Sequence, residues 1–178
     1  MATDIPAPRL QPSTLHLASL LKAHSLTLST VETACGGLVS SSLLSTPGAS
    51  KFFRGGVTLY TLPSRIAFGG WTAEMLDTYR GPTKEVVLGL ARHNKQVLGA
   101  DWVIAESGTA GPTRSRSGNN GEPGYLALAV VGPGGWERAV EHQLGSSDRA
   151  GNMGEFARLA MEFVAECIEE SLKGEGKL

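Results

Sequence analysis

Between residues 26 and 46 the apolar pattern changes period once, across a turn crowded with reactive groups. Leu26, Leu28 and Thr30 alternate, as in a strand over residues 26–32. Leu38, Val39, Leu43 and Leu44 recur at helical spacing over 36–46, until Pro47-Gly48 stops them. The connection Glu32-Thr33-Ala34-Cys35-Gly36-Gly37 holds a carboxylate, a hydroxyl, a thiol and two glycines. A strand that turns directly into a helix presents side chains at its carboxyl end. It also aims the first N–H groups of the helix outward, where anions are stabilised. This corner restricts the fold to helices laid against a largely parallel sheet.

The rest of the chain repeats the pattern. Pro12-Ser13 opens a helix with Leu15, Ala18 and Leu21 on one face. Gly56–Thr61 is β-branched and aromatic and reads as a second strand. Residues 62–81 are poorly patterned, with Trp71, Met75, Leu76 and Tyr79 suggesting one short helix. Residues 82–98 form a convincing amphipathic helix that Gly99 would cap. Asp101–Glu106 is a third strand, and residues 107–123 read as a long loop. Gly124–Val131 and Trp136–Leu144 flank Gly132-Pro133-Gly134-Gly135 and read as an antiparallel hairpin. Phe156, Leu159, Ala160, Phe163, Cys167 and Ile168 mark a last helix over about 151–173. The sum predicts a three-layer α/β/α sandwich on a mixed, mostly parallel five-stranded sheet. Residues 1–12, with three prolines, are expected to form a flexible leader, and 13–178 one domain.

Composition narrows the function classes. A net charge of −1 gives no basic surplus for nucleic acid, and no basic amphipathic segment suggests a membrane surface. No apolar stretch approaches the roughly 18 residues of a membrane span, and the N-terminus lacks a signal-peptide core. The expectation is a soluble, cytoplasmic protein. The two cysteines, Cys35 and Cys167, form neither a disulfide framework nor a metal-ligand pattern, and no histidine pair has metal spacing. No metal and no cofactor are expected.

Three turns should meet at one sheet edge: 32–37, 60–65 and 106–112. Ligands of open α/β sheets bind at the carboxyl ends of parallel strands. Glu32, Glu106, Thr33, Ser107, Tyr60, Arg65 and Cys35 are the groups that could carry chemistry there. Gly36 and Gly37, with Gly108, Thr109, Ala110 and Gly111, would bring backbone N–H groups to a phosphate. Simpler readings stand beside these. Thr33 could cap a helix, Cys35 could be a small buried residue, and Tyr60 could pack a sheet face. Arg65 or Arg149 could neutralise the glutamates, and Arg114 and Arg116 could lie on a solvated loop.

T-V-E-T-A-C-G-G-L at 30–38, P-G-A-S-K-F-F-R-G-G-V-T-L-Y at 47–60 and S-G-T-A-G-P at 107–112 resemble the C-terminal domain family of the competence/damage-inducible protein CinA. E-P-G at 122–124 and S-D-R at 147–149 are weaker matches. The resemblance spans most of 13–173 and looks like a stand-alone form. It implies a metal-free amidohydrolase that converts nicotinamide mononucleotide to nicotinate mononucleotide and ammonia. It also implies a homo-oligomer with a small nucleotide as its partner. Thr33 stands where the family has serine, Cys35 where it has threonine, and Arg65 where it has a lysine that partners the serine. Tyr60 and Ser107 fall on family positions, and Arg149 on a phosphate-side arginine.

The departures change the chemistry. A threonine hydroxyl can attack a carboxamide, but an arginine takes no proton at neutral pH. Glu106 or Glu32 would then have to act as base. Two alternatives follow: a catalytically impaired nucleotide-binding module, and a hydrolase using Cys35 as nucleophile, its thiol activated at a helix N-terminus.

Overall fold

The computed structural model describes residues 5–115 and 120–175. Within them the order is α1 (Gln11–Ala23), β1 (Leu28–Glu32), α2 (Leu38–Leu44), β2 (Phe53–Thr58), α3 (Leu62–Phe68), α4 (Ala73–Thr78), α5 (Lys84–Leu98), β3 (Trp102–Thr109), β4 (Tyr125–Val131), β5 (Glu137–Gln143) and α6 (Arg149–Glu175). The five strands lie in the order β2-β1-β3-β4-β5. β2, β1 and β3 run parallel, and β4 and β5 complete the sheet antiparallel. This is the expected three-layer sandwich on a mixed sheet.

Each sheet face has its own core. Leu28, Ile104, Leu126 and Leu128 meet Leu17 and Leu21 of α1, Leu43 of α2, and Phe156, Val164 and Ile168 of α6. Val31, Val103, Ala105, Ala127 and Ala129 meet Val87, Leu90 and Ala91 of α5. The division follows from strand alternation, which sends successive side chains to opposite faces. β1 is buried throughout, as its central place in a covered sheet requires.

Several boundaries differ from expectation. Residues 7–12 are not a loose leader. Leu10 is fully buried, and the Arg9 guanidinium donates to the carbonyls of Ala150 and Gly151. β2 begins at Phe53 rather than Gly56 and ends before Tyr60. Residues 62–81 hold two helices, not one. The first has a readable signal: Thr61 accepts from the Ser64 N–H at 3.3 Å, with Pro63 in the first turn.

β3 continues to Thr109, so Ser107-Gly108-Thr109 is strand rather than loop. Gly108 reads as a turn residue but serves close approach. A Cβ there would sit 2.5 Å from the Tyr125 carbonyl oxygen and 2.9 Å from Phe156. Arg114 is exposed and paired with Glu122, and Arg116 lies outside the described residues. Among the described residues no helix is long and apolar enough to cross a membrane.

Candidate functional site

The carboxyl ends of β1 and β3 bring Thr33, Glu32, Glu106 and Ser107 together, sorted by strand alternation onto two sides of the sheet. Glu32 and Glu106 face the α2/α6 layer. Thr33 and Ser107 face the α3/α5 layer.

On the α2 side the Glu32 carboxylate is fully committed. Its Oε2 accepts from the N–H groups of Gly37 at 2.9 Å and Val39 at 3.1 Å. Its Oε1 accepts from the N–H and hydroxyl of Ser40 at 2.8 and 2.6 Å. Glu32 therefore caps the helix that follows it, and its negative charge sits on the positive end of α2. Gly36 and Gly37 turn the chain there with φ of 68° and 98°, which glycine adopts without strain. The Gly37 N–H expected to hold a phosphate is spent on Glu32.

Glu106 ties down the same turn from β3. Its Oε1 accepts from the Thr33 N–H at 2.5 Å and the Cys35 N–H at 2.7 Å, and its Oε2 is buried without a partner. Burial raises its pKa from the ordinary 4.5 to about 7, with Glu32 adding to the rise and the two N–H groups opposing it. In the folded chain it therefore holds a proton between pH 4.5 and 7 that the unfolded chain has released. Stability must fall as pH rises through that window, by about 3 kcal/mol if this group acts alone. Urea denaturation at pH 5 and 7.5 checks this. Over that interval, where the unfolded chain has already released most of the proton at pH 5, the parent should lose about 2 kcal/mol more than Glu106→Gln, and parallel losses would refute it.

Cys35 is fully buried beside Glu106. Burial, and then the two carboxylates, push its thiol well above the ordinary value. This is opposite to the lowered pKa that activates a thiol at a helix N-terminus, and the N–H groups of that N-terminus already serve Glu32.

On the α3 side the hydroxyls form a chain. The Thr33 hydroxyl donates to Ser107 Oγ at 3.1 Å, and Arg65 Nη2 donates to the same oxygen at 3.4 Å. Arg65, on α3, is 5% exposed and packs against both Trp71 and Tyr79, its guanidinium carbon 5.1 Å from each centroid, while the two rings meet each other edge-to-face. Among the described residues its Nε and Nη1 have no hydrogen-bond partner. The expected pairing of a glutamate with Arg65 or Arg149 is not made. A cavity of about 440 Å³, lined by Trp71, Met75, Tyr79, Arg80, Thr83 and Val86, shares this aromatic wall but does not reach Thr33 or Ser107.

Tyr60 stands apart. It is 65% exposed, and its hydroxyl accepts from Arg149 Nη2 at 3.4 Å. Arg149 Nη1 donates to the Gly111 carbonyl at 3.0 Å. These three residues form a separate outer cluster. Thr109 donates its hydroxyl to the Asn120 carbonyl, and the carbonyl of buried Ala110 accepts from Asn152 at 2.8 Å. The Thr109 hydroxyl and the Ala110 and Gly111 carbonyls are thus committed within the protein, and Gly111 lies beside Arg149. Asn152 was not singled out in the sequence. It is buried, also donates to the Ser146 carbonyl and fastens this loop to α6; the one signal in the sequence was an asparagine at the start of a long helical pattern. Among the described residues no group of three or more His, Cys, Asp or Glu could hold a metal ion.

The sequence model of the CinA C-terminal domain matches residues 11–168. A CinA-like protein of Parasynechococcus marenigrum (strain WH8102) is 37% identical over 124 residues, covering 69% of this chain and 29% of that protein. One from Prochlorococcus marinus (strain AS9601) is 39% identical over 103 residues, covering 57% and 24%. The chain thus spans less than a third of the length of these curated relatives. Among solved structures, the competence/damage inducible protein CihA from Agrobacterium tumefaciens superposes with a TM-score of 0.83. Its identity is 22%, covering 93% of this chain and 99% of that one. A CinA superfamily protein from Klebsiella pneumoniae 700603 gives a TM-score of 0.80 at 23% identity, covering 90% and 98%. With this likeness over nearly the whole fold and a family match over 11–168, the chain belongs to the CinA C-terminal domain family.

Proposed function

We propose that the chain binds a pyridine ribonucleotide at the carboxyl edge of β1 and β3, and that hydrolysis of its carboxamide is strongly impaired. The ligand class is carried from the CinA resemblance at 30–38, 47–60 and 107–112. One observation carries the loss of turnover: the Thr33 hydroxyl has Ser107 as its partner, and Ser107 leads to a guanidinium. A guanidinium donates and does not accept a proton. The two carboxylates that could have served as base are on the other side of the sheet, bonded to backbone N–H groups. A missing general base costs about 10²–10⁴-fold in rate. Arg149 with Tyr60 and Gly111 supplies an exposed cationic contact for the ribonucleotide phosphate.

A second reading keeps the amidohydrolase active. It is favoured by Glu106, whose pKa near 7 and unpartnered Oε2 suit a general base one peptide away from the Thr33 side chain. Thermal melting with millimolar nicotinamide mononucleotide, alongside an ammonia assay, separates the two. The expected result is a raised Tm with ammonia release far below about 1 s⁻¹, the lower end of ordinary turnover. Release at that rate or faster, abolished in Glu106→Gln, would establish the second reading instead. No change in Tm and no ammonia would remove both.

A further inference from the structure

Arg65 is a buried cation with no carboxylate beside it among the described residues. Among the described residues it makes no ion pair, its one polar bond is the 3.4 Å contact to Ser107, and two of its three nitrogens are stranded. The rings of Trp71 and Tyr79, packed edge-to-face with centroids 5.2 Å apart, stand together against the guanidinium and supply it with π contact but no hydrogen-bond acceptor. A buried charge of this kind is costly unless something compensates it. The neighbouring hydroxyl adds another donor. Ser107 Oγ accepts from both Thr33 and Arg65, so its own proton is free to be given. A cluster rich in unspent donors around an uncompensated positive charge is built to receive an anion.

We propose that Arg65 is the specificity residue for a ligand carboxylate, so that this site takes the pyridinecarboxylate form of its ligand in preference to the carboxamide. The choice of the pyridine ring rests on the function proposed above, and the carboxylate rests on Arg65. A carboxylate is planar and negatively charged, and it meets a guanidinium in plane with two parallel hydrogen bonds. A carboxamide is neutral and would leave the charge buried and unpaired. Tyr79 is the ring that yields on entry, since it follows α4, a helix with no buried residue. The cavity of about 440 Å³ behind Trp71 and Tyr79 gives the displaced ring somewhere to go.

The test is isothermal titration of the full chain with four probes: nicotinate mononucleotide, nicotinamide mononucleotide, free nicotinate and free nicotinamide. The parent should bind each acid at least about tenfold more tightly than its amide, equivalent to about 1.4 kcal/mol. Arg65→Gln should erase that preference while melting no lower than the parent, because it removes an unpaired buried charge. Arg65→Lys should keep a reduced preference. Equal binding of acid and amide, or no binding of any probe, overturns the proposal. A preference that survives in Arg65→Gln overturns it as well. If Arg65→Gln fails to fold, the guanidinium is structural and the proposal falls. The two claims fail separately. Mononucleotides that bind equally leave the nucleotide reading standing and sink the carboxylate. A preference for free nicotinate, with neither mononucleotide bound, does the reverse.

Discussion

Thr33→Ser combined with Arg65→Lys is expected to raise ammonia release from nicotinamide mononucleotide by roughly 10²-fold or more, the lower end of what a positioned general base contributes. The reason lies in the chain of contacts from the hydroxyl. Thr33 gives its proton toward Ser107, and Ser107 faces Arg65. A lysine buried among Trp71, Tyr79 and Ser107 would be pushed toward its neutral form and could take that proton. The serine removes the methyl group that restricts the nucleophile's rotamer. Thr33→Ser alone should change little, because it restores no base. An ammonia assay on the parent, both single variants and the double variant measures this. A double variant that folds, binds the nucleotide and still releases no more ammonia would show that the proton acceptor is not what the site lacks.

The largest stability effect is expected at Glu32. Glu32→Ala should cost about 3–5 kcal/mol. The N–H groups of Gly37, Val39 and Ser40 and the Ser40 hydroxyl all lose their acceptor. A stranded buried donor costs about 1–3 kcal/mol, and solvent rescues part of this because Gly37 and Ser40 are only half-buried. The loss is a large share of the roughly 5–15 kcal/mol that a domain has in total. Glu32→Gln keeps an acceptor and should cost much less. Urea denaturation measures both. A loss below about 1 kcal/mol for Glu32→Ala would mean that water or a neighbour caps α2 as well as the carboxylate does.

The fold was legible wherever local pattern and tertiary role agree. The period change at 26–46, the Gly99 cap and the Gly132–Gly135 turn each carry their own chemistry, and each stands where it was expected. β3 was cut short because Gly108 was read as a loop residue, and β2 was placed at Gly56–Thr61, three residues later than the observed Phe53–Thr58. Gly55 and Gly56 lie inside β2, and Gly108 lies inside β3. Gly108 is there because Tyr125 and Phe156 leave no room for a side chain, a fact about distant residues that no local window contains.

The site was half legible. Thr33, Ser107 and Arg65 do converge, as do Glu32 and Glu106 with the turn. Which face each occupies follows from alternation only once β3 is known to run to Thr109. The sequence could also not show that both carboxylates are spent on backbone N–H groups. Nor could it show that Tyr60, just beyond β2, joins Arg149 rather than the hydroxyls.

A single-turnover experiment tests the central claim most directly. With protein in excess over nicotinamide mononucleotide and well above the dissociation constant found by titration, nearly every ligand molecule is bound and slow product release cannot hide chemistry. Mass spectrometry of the recovered ligand then distinguishes amide from acid. The account predicts bound nucleotide recovered intact as the amide after many minutes. Conversion to the acid within seconds, in a protein whose Thr33→Ala variant binds but does not convert, would contradict it.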